Sequence, residues 1–207
     1  MSVTLYYTPG TCSLAPMVAL EWLGQAYTLC RVEKEARASD AYARVHPRRL
    51  VPALRVEPER VIGEVNAILS HLGGLPTSGP EGDAANQWLS YLASGFHAVF
   101  WPYFRPDRYT TEPAHEASVK AAAVLAIRRE LSFVNEQLGA RPFLLGDRSL
   151  LDPYLHAMSR WSNAIVELPR EFPHVFRHQK SLATDPAVRK ALAIERGDVT
   201  LHPHVDL

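Results

Sequence analysis

The sequence predicts an α+β domain followed by an all-α domain. Strand-length and helix-length apolar runs alternate as far as Leu72. Glycine, proline and serine then dominate GGLPTSGPEGD, from Gly73 to Asp83, and beyond it the apolar residues recur at helical spacing. The expected boundaries are 1–74 for the mixed domain, 75–83 for a linker and 84–207 for the helical domain. At 207 residues, 47% of them apolar, the chain can give each part a buried core.

In the first domain, Val3 to Tyr7 is a β-type run that enters a Pro9-Gly10 turn. A helix follows, its apolar stretch running from Leu14 to Leu23 and stopped by Gly24. Pro16 suits a first helical turn, where its missing N–H leaves nothing unsatisfied. Tyr27 to Val32 reads as a second strand with Thr28, Cys30 and Val32 on one face, which makes Cys30 a core residue. Ser39 caps a short helix from Asp40 to Val45, ended by His46-Pro47. Ala53 to Val56 and Arg60 to Ile62 make a hairpin around Glu57-Pro58-Glu59. A last helix, Glu64 to Leu72, stops at Gly73-Gly74.

In the second domain, Trp88, Leu89, Leu92, Phe96, Val99 and Phe100 repeat at helical spacing. Asn86, Ser90, Ser94 and His97 lie along another face, and Pro102 ends or kinks the helix. A second long helix runs from about Pro113 to Leu138. Ser149-Leu150-Leu151-Asp152 opens a third as a capping-box variant, in which serine and aspartate satisfy N–H groups reciprocally. Shorter helices follow, the last begun by Asp185-Pro186. The C-terminal DVTLHPHVDL has no helical period and reads as a tail.

Lysine plus arginine and aspartate plus glutamate each number 22, so no net field draws nucleic acid or an anionic membrane. No run approaches the roughly 18 apolar residues of a membrane span, and the start of the chain lacks the pattern of a signal peptide. Cys12 and Cys30, outside any C-x-x-C pair, are too few for a disulfide framework or a metal cluster. A soluble cytoplasmic protein with no metal, nucleic-acid or membrane partner is expected.

The stretch YYTPGTCSLAP, Tyr6 to Pro16, carries the candidate chemistry. A cysteine where a helix begins meets free N–H groups and the positive end of the dipole, which stabilise a thiolate and lower its pKa. Cys12 has two readings, an activated thiol of this kind or a small buried hydrophobe.

The order strand, helix, strand, helix, strand, strand, helix is the thioredoxin-like arrangement, with Val51-Pro52 at the turn into its third strand. Pro52 is either a trans proline at an ordinary strand start or a cis residue of a functional turn. Followed by a helical domain, this layout resembles that of the cytosolic glutathione transferases. Tyr6 to Ala15 resembles the opening of the bacterial beta class. Val51-Pro52-Ala53-Leu54, Glu64 with Ala67-Ile68, Phe96 to Phe100 with Pro102, and Ser149 to Asp152 are further matches in the family's order.

The resemblance implies glutathione as co-substrate, a small hydrophobic electrophile and a homodimer. It implies that Cys12 faces the glutathione sulfur, that His97 and Ser94 reach toward it from the helical domain, and that Tyr6 is a secondary catalytic contact. Val51, before Pro52, would pair its backbone with the cysteinyl unit, Glu64 would bind the γ-glutamyl ammonium, and Arg37 is the basic residue of the second-helix loop. An aromatic electrophile wall between the domains would draw on Trp101, Phe104, Tyr109 and Trp161. This chain departs from the family at Val65, where serine is usual, at Arg48-Arg49-Leu50, where lysine, glycine and a polar residue are usual, and at Ala98, where lysine often follows the histidine. Either Arg48 or Arg49 is a candidate for the glycyl carboxylate. Three functions remain: a conjugating enzyme, a monothiol redox enzyme using Cys12, and a non-catalytic binding protein of the same fold.

Overall fold

The computed structural model describes residues 3–198. Internal contacts divide the chain into two units, Met1–Leu75 with Leu182–Leu207, and Pro76–Ser181.

In the first unit, β1 (Val3–Tyr7), β2 (Tyr27–Arg31), β3 (Ala53–Glu57) and β4 (Arg60–Gly63) form one sheet in the order β2-β1-β3-β4. β1 is parallel to β2, antiparallel pairing joins β1 to β3 and β3 to β4. A parallel pair needs a crossover, and α1 (Leu14–Trp22) supplies it. Leu5 pairs in register with Leu29 and Leu54, so the three bury on one face of the sheet. Tyr6, Cys30 and Ala53, one position along, bury on the other face with Val32 and Tyr42. Cys30 is thus the core residue its strand position implied.

α3 (Asp40–Val45) is capped as expected, Ser39 Oγ accepting from Tyr42 N at 3.2 Å. A four-residue helix, α2 (Lys34–Arg37), precedes it; such a piece is too short to show a period in the sequence. α4 (Val65–Leu72) starts after Glu64, whose φ of 63° and ψ of 129° lie outside the helical region.

In the second unit, α5 (Gly79–Tyr91) begins inside the stretch read as a linker. Pro80 sits in its first turn, where the ring costs no hydrogen bond. The helix passes into a π-type turn, Leu92–Phe96, then a 3-10 turn, Ala98–Phe100, and α6 (Trp101–Phe104), so the continuous helix expected up to Pro102 is broken. After 3-10 turns at Pro106–Arg108 and Pro113–His115 come α7 (Glu116–Leu138) and α8 (Leu151–Ser159). A 3-10 turn, Arg160–Ala164, then leads to α9 (Leu168–Glu171) and α10 (Pro173–Thr184), whose last three residues fall in the first unit.

α8 is buried along its length, and Asp152 organises its start. Its Oδ2 accepts from Ser149 N at 2.8 Å, and its Oδ1 accepts from Leu144 N at 3.1 Å and lies 3.0 Å from His178 Nε2. The reciprocal half of the expected box is absent. Ser149 Oγ donates to the same carboxylate at 3.1 Å, because a charged acceptor outcompetes a neutral one, and Asp152 N bonds the Ser149 carbonyl.

His156, on the same helix, is buried with neither ring nitrogen hydrogen-bonded. Burial, with the positive charge of Arg160 and a smaller effect of His178, pushes its pKa down to about 3, so the ring is neutral at pH 7. A buried polar group without a partner costs about 1–3 kcal/mol. His156→Leu is therefore expected to raise stability by roughly 1–2 kcal/mol, read as a higher urea midpoint at unchanged slope. A lower midpoint would show that the ring's shape matters more than its polarity.

The final helix, α11 (Pro186–Arg196), belongs to the first unit, which corrects the expectation of a helical domain running to 207. Side-chain chemistry explains the attachment. Asp185 caps α11 as expected, accepting from Ala187 N and Val188 N at 2.9 and 3.2 Å, and also accepts from Trp22 Nε1 at 3.0 Å. Lys190 Nζ pairs with Glu21 at 2.8 Å, and Glu195 accepts from Gly10 N at 3.1 Å. α11 is thereby fastened both to α1 and to the turn after β1. The tail read at 198–207 lies, apart from Asp198, outside the described residues.

Candidate active site

β1 delivers the chain into a turn at Pro9-Gly10, where Gly10 takes a φ of 75° that a side chain would resist. Cys12 follows, two residues ahead of α1, and is only 6% exposed. The N–H groups expected to stabilise its thiolate are committed elsewhere. Ser13 N bonds Thr11 Oγ1, Leu14 N bonds Thr11 O, Ala15 N bonds Cys12 O, Met17 N bonds Ser13 O, and Pro16 has none. Burial pushes the Cys12 thiol up to about 12; a backbone hydrogen bond from its own N–H opposes this in part, and the Glu64 carboxylate adds to the rise. Cys12 is a neutral S–H at physiological pH rather than the activated thiolate the helix-start reading anticipated.

The second part of the site is the corner from His46 to Val65. The Val51-Pro52 bond is cis, and the sheet ladder begins immediately after it at Ala53. Tyr42 Oη donates to Leu50 O at 2.7 Å, tying that turn to α3. Arg49 stands at a φ of 55° and points its guanidinium at Ala38 O and Asp40 Oδ1, at 2.8 and 3.1 Å. Arg48 faces the other way and pairs with Glu64, Nη1 to Oε1, at 2.8 Å. Val65 buries its side chain at the first position of α4. His46 is buried against Gly63, where a Cβ would come within 2.4 Å of its Nε2; burial lowers its pKa. The sequence reading did not single out Arg48 as a partner of Glu64, and took His46 only as the end of a helix. The spacing of 16 residues between Arg48 and Glu64 carries no periodic signal.

Tyr6 is buried among core side chains, its ring 6.0 Å from Tyr42 with the Arg55 guanidinium 5.4 Å above it, and burial raises its pKa. Arg37, half-buried on α2, keeps its Nε buried without a hydrogen-bond partner.

In the helical unit, the π-type turn ends at His97, whose N–H reaches Leu92 O at 2.9 Å. The His97 ring stacks on Trp101 at 5.8 Å and lies 5.3 Å from Trp161. Trp161 also meets Phe100 and Phe104 edge-on at 5.3 and 5.7 Å. Trp101 and Phe104 are 37% and 48% exposed, so this cluster presents aromatic faces to its surroundings. Tyr109 is exposed and stands outside the ring cluster among the described residues. Ser94 is exposed and donates to Ser90 O at 2.8 Å, one helical turn back.

Among the described residues no helix is long and apolar enough to cross a membrane. Residues 15–78 match the family described as glutathione S-transferase, N-terminal domain. The glutathione S-transferase GstA of Escherichia coli O157:H7 is 30% identical over 203 residues, covering 92% of this chain and 98% of that protein. A sphingomonad glutathione S-transferase complexed with glutathione superposes with a TM-score of 0.82 at 29% identity, over 93% of this chain and 98% of that one. A bacterial beta class enzyme of Sphingomonas chungbukensis gives the same TM-score and coverage at 27% identity.

Proposed function

The chain belongs to the glutathione S-transferase family, and from that membership we propose that it binds reduced glutathione against Cys12 and the cis-Val51-Pro52 corner and conjugates it to small hydrophobic electrophiles. The observation that carries the reading is a buried, neutral Cys12 thiol in the turn between β1 and α1. A neutral S–H donates a hydrogen bond to a neighbouring thiolate, which favours ionisation of the glutathione sulfur over that of the protein's own. The glutathione thiol gives its proton to solvent, the sulfur lone pair forms a C–S bond with the electrophile, and the leaving group departs with the bonding pair. Backbone groups of Val51 pair with the cysteinyl unit, Glu64 holds the γ-glutamyl ammonium and Arg37 faces the glycyl end. Tyr6 supports the sheet beneath, while His97, Trp101, Phe104 and Trp161 give the electrophile an aromatic surface. The protein works as a cytoplasmic homodimer.

Isothermal titration with reduced glutathione tests this. Saturable binding is expected in the wild type, weakened roughly tenfold to a hundredfold in Glu64→Ala, the equivalent of one hydrogen bond to a charged group. No heat of binding up to several millimolar glutathione would overturn the reading. Conjugation of an activated aryl chloride should then saturate with glutathione at the same affinity.

A further inference from the structure

We propose that Arg48 is the anion half of a two-charge receptor for the α-amino acid pole of the thiol substrate, so that the site selects thiols bearing both a free α-ammonium and a free α-carboxylate. The inference rests on the glutathione reading and deepens it. Arg48 and Glu64 meet at 2.8 Å, with side chains 71% and 62% exposed. An exposed pair of this kind contributes little to folding and opens cheaply. An amino acid pole brings both opposite charges on one carbon, and inserting it exchanges one ion pair for two, Glu64 with the ammonium and Arg48 with the carboxylate.

The neighbouring groups leave this task to Arg48. Val65 has no hydroxyl and its side chain is buried, so at the start of α4 it offers a carboxylate a backbone N–H alone. Arg49 is turned away to Ala38 and Asp40. A planar guanidinium can take both carboxylate oxygens at once, which an ammonium cannot.

The test compares reduced glutathione with 4-aminobutyryl-cysteinylglycine, the same tripeptide without its α-carboxylate, on wild type, Arg48→Ala and Arg48→Lys by titration calorimetry. Arg48→Ala is expected to weaken glutathione roughly tenfold to a hundredfold while leaving the decarboxylated analogue within about twofold, with Arg48→Lys in between. The thermal midpoint should stay where it is in both variants, as the pair is exposed. Glutathione binding that is unchanged or tighter in Arg48→Ala would overturn the proposal and leave the glutathione reading standing, the guanidinium then being only a competitor for Glu64. Equal loss for both ligands would overturn it as well. Failure of the wild type to bind glutathione removes the parent reading, and this one with it.

Discussion

Asp152→Ala is expected to lower the stability of the protein by about 3–5 kcal/mol, the cost of removing one partner from a buried charged network. The carboxylate is fully buried and takes hydrogen bonds from two backbone N–H groups and the Ser149 hydroxyl, with a fourth contact to the buried ring of His178. Alanine leaves the N–H groups of Leu144 and Ser149 without an acceptor and strips His178 of its neighbour, and water cannot easily replace the lost oxygens. Asp152→Asn keeps one carbonyl oxygen and should fall between alanine and wild type. Urea unfolding followed by tryptophan fluorescence measures this directly. A loss below about 1 kcal/mol would mean that the start of α8 is held by packing and that the carboxylate is incidental to it.

The order of elements was legible because punctuation and period agree. Pro9-Gly10, Gly24, His46-Pro47 and Gly73-Gly74 end runs whose period is two or 3.6. What escaped depends on contacts between distant positions. Nothing local in α11 announces that Asp185, Lys190 and Glu195 find Trp22, Glu21 and Gly10, 163, 169 and 185 residues away. The division of labour between Arg48 and Arg49 turns on a single backbone angle, the positive φ of Arg49, which sends one guanidinium to α3 and the other to Glu64.

The π-type turn before His97 was hidden because Leu92, Phe96 and Phe100 recur every fourth residue, a spacing that a regular helix also shows. At the candidate site the protonation state of Cys12 was not legible in the sequence. The resemblance set Cys12 opposite the glutathione sulfur, but its protonation follows chiefly from its burial in the folded chain, which no local pattern announces. Tyr6, one residue from the strand end, alternates to the face of the sheet that packs on Tyr42.

Cys12 should react with iodoacetamide at pH 7 roughly a thousandfold more slowly in the folded protein than in the unfolded chain. Its pKa rises from an ordinary 9.0 to about 12, and three units reduce the thiolate fraction by about three orders of magnitude. Only the thiolate attacks, so the rate should keep climbing close to tenfold per unit as pH passes 9, where an exposed cysteine levels off. Peptide mapping separates Cys12 from Cys30, which is buried in the sheet. The outcome decides between two chemistries. Slow labelling of Cys12, with conjugation retained in Cys12→Ser because a hydroxyl also donates, fits a residue that serves the substrate's sulfur. Fast labelling at neutral pH would make Cys12 the nucleophile and move the protein to disulfide exchange, where a low-pKa thiol and a leaving thiolate are both required.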